Sequence, residues 1–136
     1  EKMKHKALWV IMNIAEGNEE QVTCLLNCEG LMDAVRENFR GTDTEVALCS
    51  LWIFANICAS CSVFQLHGLI EQGLLSDCKA MLHLNDPDHL AVVLDLIDKI
   101  FNIGQTLVQE SGHNPYMALA YQSGLIEELS QLQAHP

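Results

Sequence analysis

The sequence predicts an all-α solenoid, and three observations carry that prediction. Apolar residues recur at spacings of three and four along nearly the whole chain, with no stretch of strict apolar/polar alternation, so helices fit and strands do not. The helical runs are short, mostly about 8 to 18 residues. They are punctuated by Gly17-Asn18, Gly30, Gly41-Thr42-Asp43, Gly68, Gly73, Asn85-Asp86-Pro87-Asp88, Gly104, the stretch from Gly112 to Pro115, and Gly124. The third observation is self-similarity. ALWVIMNI (7–14) returns as SLWIFANI (50–57) with Leu, Trp, Asn and Ile in register, so Trp9 and Trp52 stand 43 residues apart.

The same 43-residue step separates Gly30 from Gly73; each lies 17 residues after its Asn and opens a similar helix, GLMDAV and GLLSDC. A third opening, GLIEEL at Gly124, comes 51 residues after Gly73. That is one period plus a short insertion, which TLVQESGHNPY accommodates. A period of about 40 to 47 residues with two or three helices per unit is that of an armadillo or HEAT solenoid. The expected architecture is a right-handed armadillo superhelix of about three repeats in one domain, 1–136. It divides into a partial repeat 1–16, a repeat 17–60, a repeat 61–104 and a partial C-terminal repeat 105–136.

Each repeat would hold a short first helix, a second helix, and a long third helix. The chain opens on a long helix at 2–16. A first helix at 18–28 begins with Glu19 and Glu20, carboxylates suited to the positive end of a helix dipole. Gly30 permits the sharp turn into a second helix at 31–39. TDTEV supplies an N-cap for the long helix 44–60. The pattern repeats as 62–72, then Gly73, then 74–83; DPDHL caps the long helix 88–103, with Pro87 suited to its first turn. Helices at 114–123 and 125–133 complete the chain.

Eighteen acidic against seven basic side chains leave a net charge of −11, which repels nucleic acid and anionic membrane and favours basic partners; simple solubility is the other reason for such a balance. Half the residues are hydrophobic, enough for a continuous core. No apolar run approaches the length of a membrane span, and EKMKHK is too charged and short for a signal peptide. The chain begins at Glu1 rather than Met, as a segment of a longer protein would.

Cys24, Cys28, Cys49, Cys58, Cys61 and Cys78 all lie in apolar helical patterns and read as buried free thiols of a reducing compartment. Cys58 and Cys61 have C-x-x-C spacing, but no second pair or suitably spaced histidine accompanies them, and no strand precedes them. His5, His67, His83, His89, His113 and His135 show neither metal spacing nor a partnered nucleophile. No phosphate-cradling glycine loop or paired-carboxylate motif is present. The sequence therefore predicts no catalytic residues, no metal and no cofactor.

Function falls to the exposed stripe of the long helices, which in such solenoids stack to line a concave groove. Asn13 follows Trp9 by four residues, and Asn56 follows Trp52 by four, so amide and indole share a helical face. An asparagine amide offers donor and acceptor together and can pair both backbone groups of one residue of an extended peptide. Indoles one turn away form slots for the stems of Lys or Arg, with cation–π attraction for their charged heads. The alternative is that the tryptophans are core residues and the asparagines cap internal carbonyls; packing alone, however, does not require Asn twice at the same phase. A further step of 43 lands on Asp95 in VLDLIDKI and puts Lys99 at the Asn place.

KALWVIMNIAEGNEEQ, LWIFANI, VLDLIDKIFNIGQ and NPYMALAYQSGLIEELSQLQAHP, in this order, resemble the last armadillo repeats of importin-α, essentially end to end. The resemblance implies a nuclear import adaptor fragment that binds basic nuclear localisation signals at a minor-site-like groove. Trp9 and Trp52 would stack on basic side chains, and Asn13 and Asn56 would clamp the peptide backbone. In the family an acidic residue commonly precedes the Trp by three positions; here Lys6 and Cys49 stand there, so receiving charge would come from Glu16, Asp95 and Asp98. The resemblance also implies importin-β and an export receptor as partners of the full-length protein, no nucleic-acid or membrane partner, and shuttling between cytoplasm and nucleus. Two other readings stay open. One is a different armadillo scaffold binding acidic or amphipathic segments. The other is a structural or regulatory armadillo module whose partner docks on the convex or terminal face, which Lys6, Cys49 and Lys99 favour.

Overall fold

Ten α-helices follow one another among the described residues, which in this computed structural model are 2–83 and 86–133. They are α1 (Lys2–Ala15), α2 (Glu19–Asn27), α3 (Leu31–Glu37) with a 3-10 turn at Asn38–Arg40, α4 (Thr44–Ser60), α5 (Val63–Glu71) and α6 (Leu74–Met81). After them come α7 (Pro87–Gln105), α8 (Val108–Ser111), α9 (Pro115–Ser123) and α10 (Leu125–Gln133). The expected helices match these bounds to within one or two residues, and the insertion before the last pair holds α8. Asn85 and His135, noted in the sequence, lie outside the described residues.

The repeat is written in the caps. Asn18 Oδ1 accepts from Gln21 N at 3.0 Å while Gln21 Oε1 accepts from Asn18 N at 2.9 Å. Ser62 and Gln65 make the same reciprocal box one repeat later, at 3.1 and 2.9 Å. Asp43 Oδ1 caps α4 through Glu45 N and Val46 N, and Asp86 Oδ1 caps α7 through Asp88 N and His89 N. The Asp88 N–H, with the His89 side chain, holds the Asp86 carboxyl below its usual range. Gly30 and Gly73 cap α3 and α6 with φ of 76° and 107°, left-handed backbone that an L side chain resists. Gly30 has nothing within 4 Å of the place a Cβ would occupy, so Gly30→Ala isolates the backbone penalty. It is expected to cost about 1–2 kcal/mol, read as a lower denaturation midpoint at unchanged m-value.

The chain divides into two compact units, Glu1–Leu66 and His67–Pro136. In the first, α1 packs along α4 and on α2, and α2 packs on α3. Phe39 and Phe54 meet with ring centroids 5.3 Å apart and planes tilted at 44°. Leu51, Ile53, Phe54 and Ile57 are fully buried, each stabilising by about 1.5–3 kcal/mol relative to exposure. In the second unit α6 packs on α7, α9 and α10, around Leu74, Met81, Leu96, Ile100, Tyr116 and Leu125. Lys79 Nζ donates to the Ser123 carbonyl at 3.3 Å across that packing.

The expectation of six buried thiols is corrected. Only Cys58 and Cys78 are buried; Cys49 and Cys61 are half-buried, and Cys24 and Cys28 are exposed. Helix α2 is short and buries Val22 and Leu25, which leaves Cys24 off the packed face and Cys28 at the C-cap. Burial pushes the Cys78 thiol up to about 12, from an ordinary 9.0. A raised pKa means the contribution is complete below the unfolded value and is lost as pH rises toward the folded one. Stability is therefore expected to fall between pH 9 and 12, with Cys78 contributing a slope of about 1.4 kcal/mol per pH unit. Urea denaturation across that range should show a shallower slope in Cys78→Ala; equal slopes would refute it.

Candidate functional site

Helix α4 is buried around most of its circumference, by Val46, Ala47, Ser50, Leu51, Ile53 to Ala55, Ile57 and Cys58. Besides Thr44 and the half-buried Leu48 and Ser60, what reaches solvent is a stripe at i, i+4, i+7, i+11 and i+14: Glu45, Cys49, Trp52, Asn56 and Ala59. Trp52 is 41% exposed in the middle of it, with half-buried Asn56 one turn on. Helix α1 carries the matching stripe: Lys2, Lys6, Trp9, Asn13 and, just past its end, Glu16. All five are exposed, Trp9 at 54%.

Since α1 packs along α4, the two Trp/Asn pairs belong to one unit. The Asn13 side chain makes no hydrogen bond among the described residues, so its donor and acceptor both face outward. Asn56 Nδ2 donates to the Met12 carbonyl of α1 at 3.5 Å, a long bond that orients the amide while its oxygen stays open to a ligand. His5 ties the helices together on the other side of the indoles: its Nε2 is 3.5 Å from Cys49 Sγ and its Nδ1 3.7 Å from Glu45 Oε2. The order acid, imidazole, thiol resembles a nucleophile relay, but its electrostatics run the wrong way. Burial, then Glu45 and Asp43, push the Cys49 thiol up, so the thiolate is disfavoured and the thiol serves as a hydrogen-bonding partner.

On α7 the buried residues Val93, Leu96, Ile97, Ile100 and Gly104 leave the stripe Ala91, Asp95, Asp98, Asn102 and Gln105. The caps keep the 43-residue step: Asp43 and Asp86 cap α4 and α7, and Thr44 and Pro87 open them. On that step Asp95 takes the Trp place, exposed as Trp52 is, and Lys99 takes the Asn place, half-buried as Asn56 is, with its Nζ 3.2 Å from Asp95 Oδ2. One turn past Asp98, Asn102 Nδ2 donates to Asp98 Oδ2 at 3.2 Å.

These stripes can do two things chemically. The α1/α4 pair offers two indole faces, each with an amide one turn away. The α7 stripe offers carboxylates, one already engaged by Lys99. Among the described residues no group of three or more His, Cys, Asp or Glu is arranged to hold a metal ion, and no helix is long and apolar enough to cross a membrane.

No protein-family model matches the sequence, and no curated protein matches it. Solved structures do. A designed armadillo repeat protein in complex with the peptide (KR)4 is similar over 96% of this chain, at 26% identity and a TM-score of 0.75. The chain has the armadillo-repeat fold. A structure of computationally designed armadillo repeat proteins for modular peptide recognition is similar over 99% of the chain at 25% identity and a TM-score of 0.77. A further designed armadillo repeat protein covers 77% at 25% identity, with a TM-score of 0.66. The chain spans about half the length of these armadillo proteins, 50%, 52% and 45% respectively.

Proposed function

We propose that this armadillo chain binds extended basic peptides across the exposed stripes of α1 and α4, as the C-terminal part of an importin-α-like nuclear import adaptor. One observation carries the peptide-binding reading: two indoles at the same repeat phase reach solvent, each with an asparagine amide one turn away, on two helices that pack along each other. Large aromatic side chains held in solvent at a repeated position suit a ligand with long apolar stems and charged heads. The net charge of −11 and the likeness to a designed protein bound to (KR)4 support a basic ligand.

The import assignment rests on the order and spacing of the W-x-x-x-N segments and the C-terminal GLIEELSQLQAH. On that reading importin-β and an export receptor are partners of the full-length protein, which shuttles between cytoplasm and nucleus. No nucleic acid, membrane, cofactor or catalytic step enters it. A second reading, an armadillo module that does not take basic signals, draws on Lys2 and Lys6 in the α1 stripe.

Fluorescence anisotropy of a labelled alternating Lys-Arg octapeptide across a salt series separates the two. Binding that weakens steadily as salt screens the charges is the expected result. No binding at low salt, or binding indifferent to salt, would overturn the basic-peptide reading.

A further inference from the structure

The cations of this acidic chain are unevenly placed. Three of its seven Lys and Arg residues, Lys2, Lys4 and Lys6, fall within the first six positions. Lys2 and Lys6, with His5 and Trp9, line an open pocket of about 280 Å³ on α1. Elsewhere the lysines are engaged: Lys79 with the Ser123 carbonyl at 3.3 Å, Lys99 with Asp95 at 3.2 Å. The ammonium groups of Lys2 and Lys6 have no ion pair or hydrogen bond among the described residues. Glu45 of α4, outside the lining, lies 3.7 Å from His5.

The α1 stripe is therefore polarised along its length. Two cations stand on one side of the Trp9/Asn13 pair and the Glu16 carboxylate on the other. Side chains of an extended peptide point alternately to opposite sides. A peptide crossing α1 at Trp9 and Asn13 directs one side chain toward Lys2 and Lys6 and its neighbours toward Glu16. A Lys or Arg at the first position would meet two ammonium groups beside an indole wall. A carboxylate there meets attraction, with the lysine stems packing along its methylenes.

We propose that the pocket lined by Lys2, His5, Lys6 and Trp9 receives an acidic side chain, Asp or Glu, of the extended peptide partner. This rests on the peptide-binding reading above and sharpens it: the preferred ligand is a basic segment interrupted by one carboxylate at a set position, rather than a uniformly basic run.

An aspartate scan along a basic octapeptide, measured on the full 136-residue chain, tests it. Asp should weaken binding at most positions and strengthen it about threefold or more at one, a gain in the range of a single partly exposed charge pair. In the double variant Lys2→Gln/Lys6→Gln that gain should vanish, while the parent basic peptide binds more tightly because the repulsion is gone. Aspartate weakening binding everywhere, or a gain that persists in the double variant, would overturn the proposal. The parent peptide alone decides the peptide-binding reading. If it does not bind, the pocket stands only if a neutral peptide carrying one Asp binds wild type and not the double variant; binding by neither overturns it as well.

Discussion

Replacing Gly104 with alanine is expected to destabilise the protein by about 1–3 kcal/mol, although the same exchange in a helix normally stabilises. A Cβ at Gly104 would strike the Asn114 side-chain oxygen, lie 2.8 Å from Asn114 Cγ, and stand 3.0 Å from Tyr116 Cδ2. Neither neighbour can retreat cheaply. Asn114 Oδ1 caps α9 by accepting from Tyr116 N at 3.1 Å and Met117 N at 3.2 Å, while its Nδ2 donates to the Phe101 carbonyl at 2.9 Å. Tyr116 is fully buried. Overpacking costs about 1–3 kcal/mol and loss of the cap about 1 more, against a helix-propensity gain of about 1. Gly68, inside α5, has nothing within 4 Å of a built Cβ, so Gly68→Ala should instead stabilise by about 0.5–1 kcal/mol. Urea midpoints moving in opposite directions for the two variants would bear this out; a neutral Gly104→Ala would mean the Asn114 clasp yields without loss. Coupling to Asn114→Ala, measured as a double-mutant cycle, locates the clash.

Helix positions were legible in the sequence because they are set locally: the aspartate caps at Asp43 and Asp86 and the left-handed glycines at 30 and 73 are visible as residue types at fixed offsets, whereas the capping boxes at Asn18 and Ser62 emerged only with the structure. The stripe of α1 and α4 was legible because Trp and Asn repeat in phase. On the third long helix the 43-residue step holds in the caps, Asp43 and Asp86, and places Asp95 and Lys99 at the exposure of Trp52 and Asn56, although no Trp or Asn marks the phase there. Thiol exposure was not legible, since short helices such as α2 bury too narrow a face for composition to tell which cysteine lies on it.

Trp52→Ala is expected to weaken basic-peptide binding about tenfold or more, the largest loss of any single stripe residue. Trp52 is the better-framed indole: 41% exposed, against 54% for Trp9, on a helix buried along its remaining faces. A ligand stem on it thus meets an aromatic wall whose position is fixed before binding, which lowers the ordering cost. Trp9 lines one pocket with Lys2 and Lys6, so Trp9→Ala removes stacking from a step already repelled by charge and should cost less, about threefold. Asn56→Ala should fall near Trp52→Ala, because it removes a backbone clamp; its bond to the Met12 carbonyl is long enough that thermal unfolding should move little. Titrating the Lys-Arg peptide into the three variants, with circular dichroism melts alongside, gives the ranking directly. Equal losses at Trp9 and Trp52 would mean the lysines do not face the peptide, and the acidic-pocket inference would fall with them. No loss at either would remove the stripe as the binding surface, whatever the fold implies.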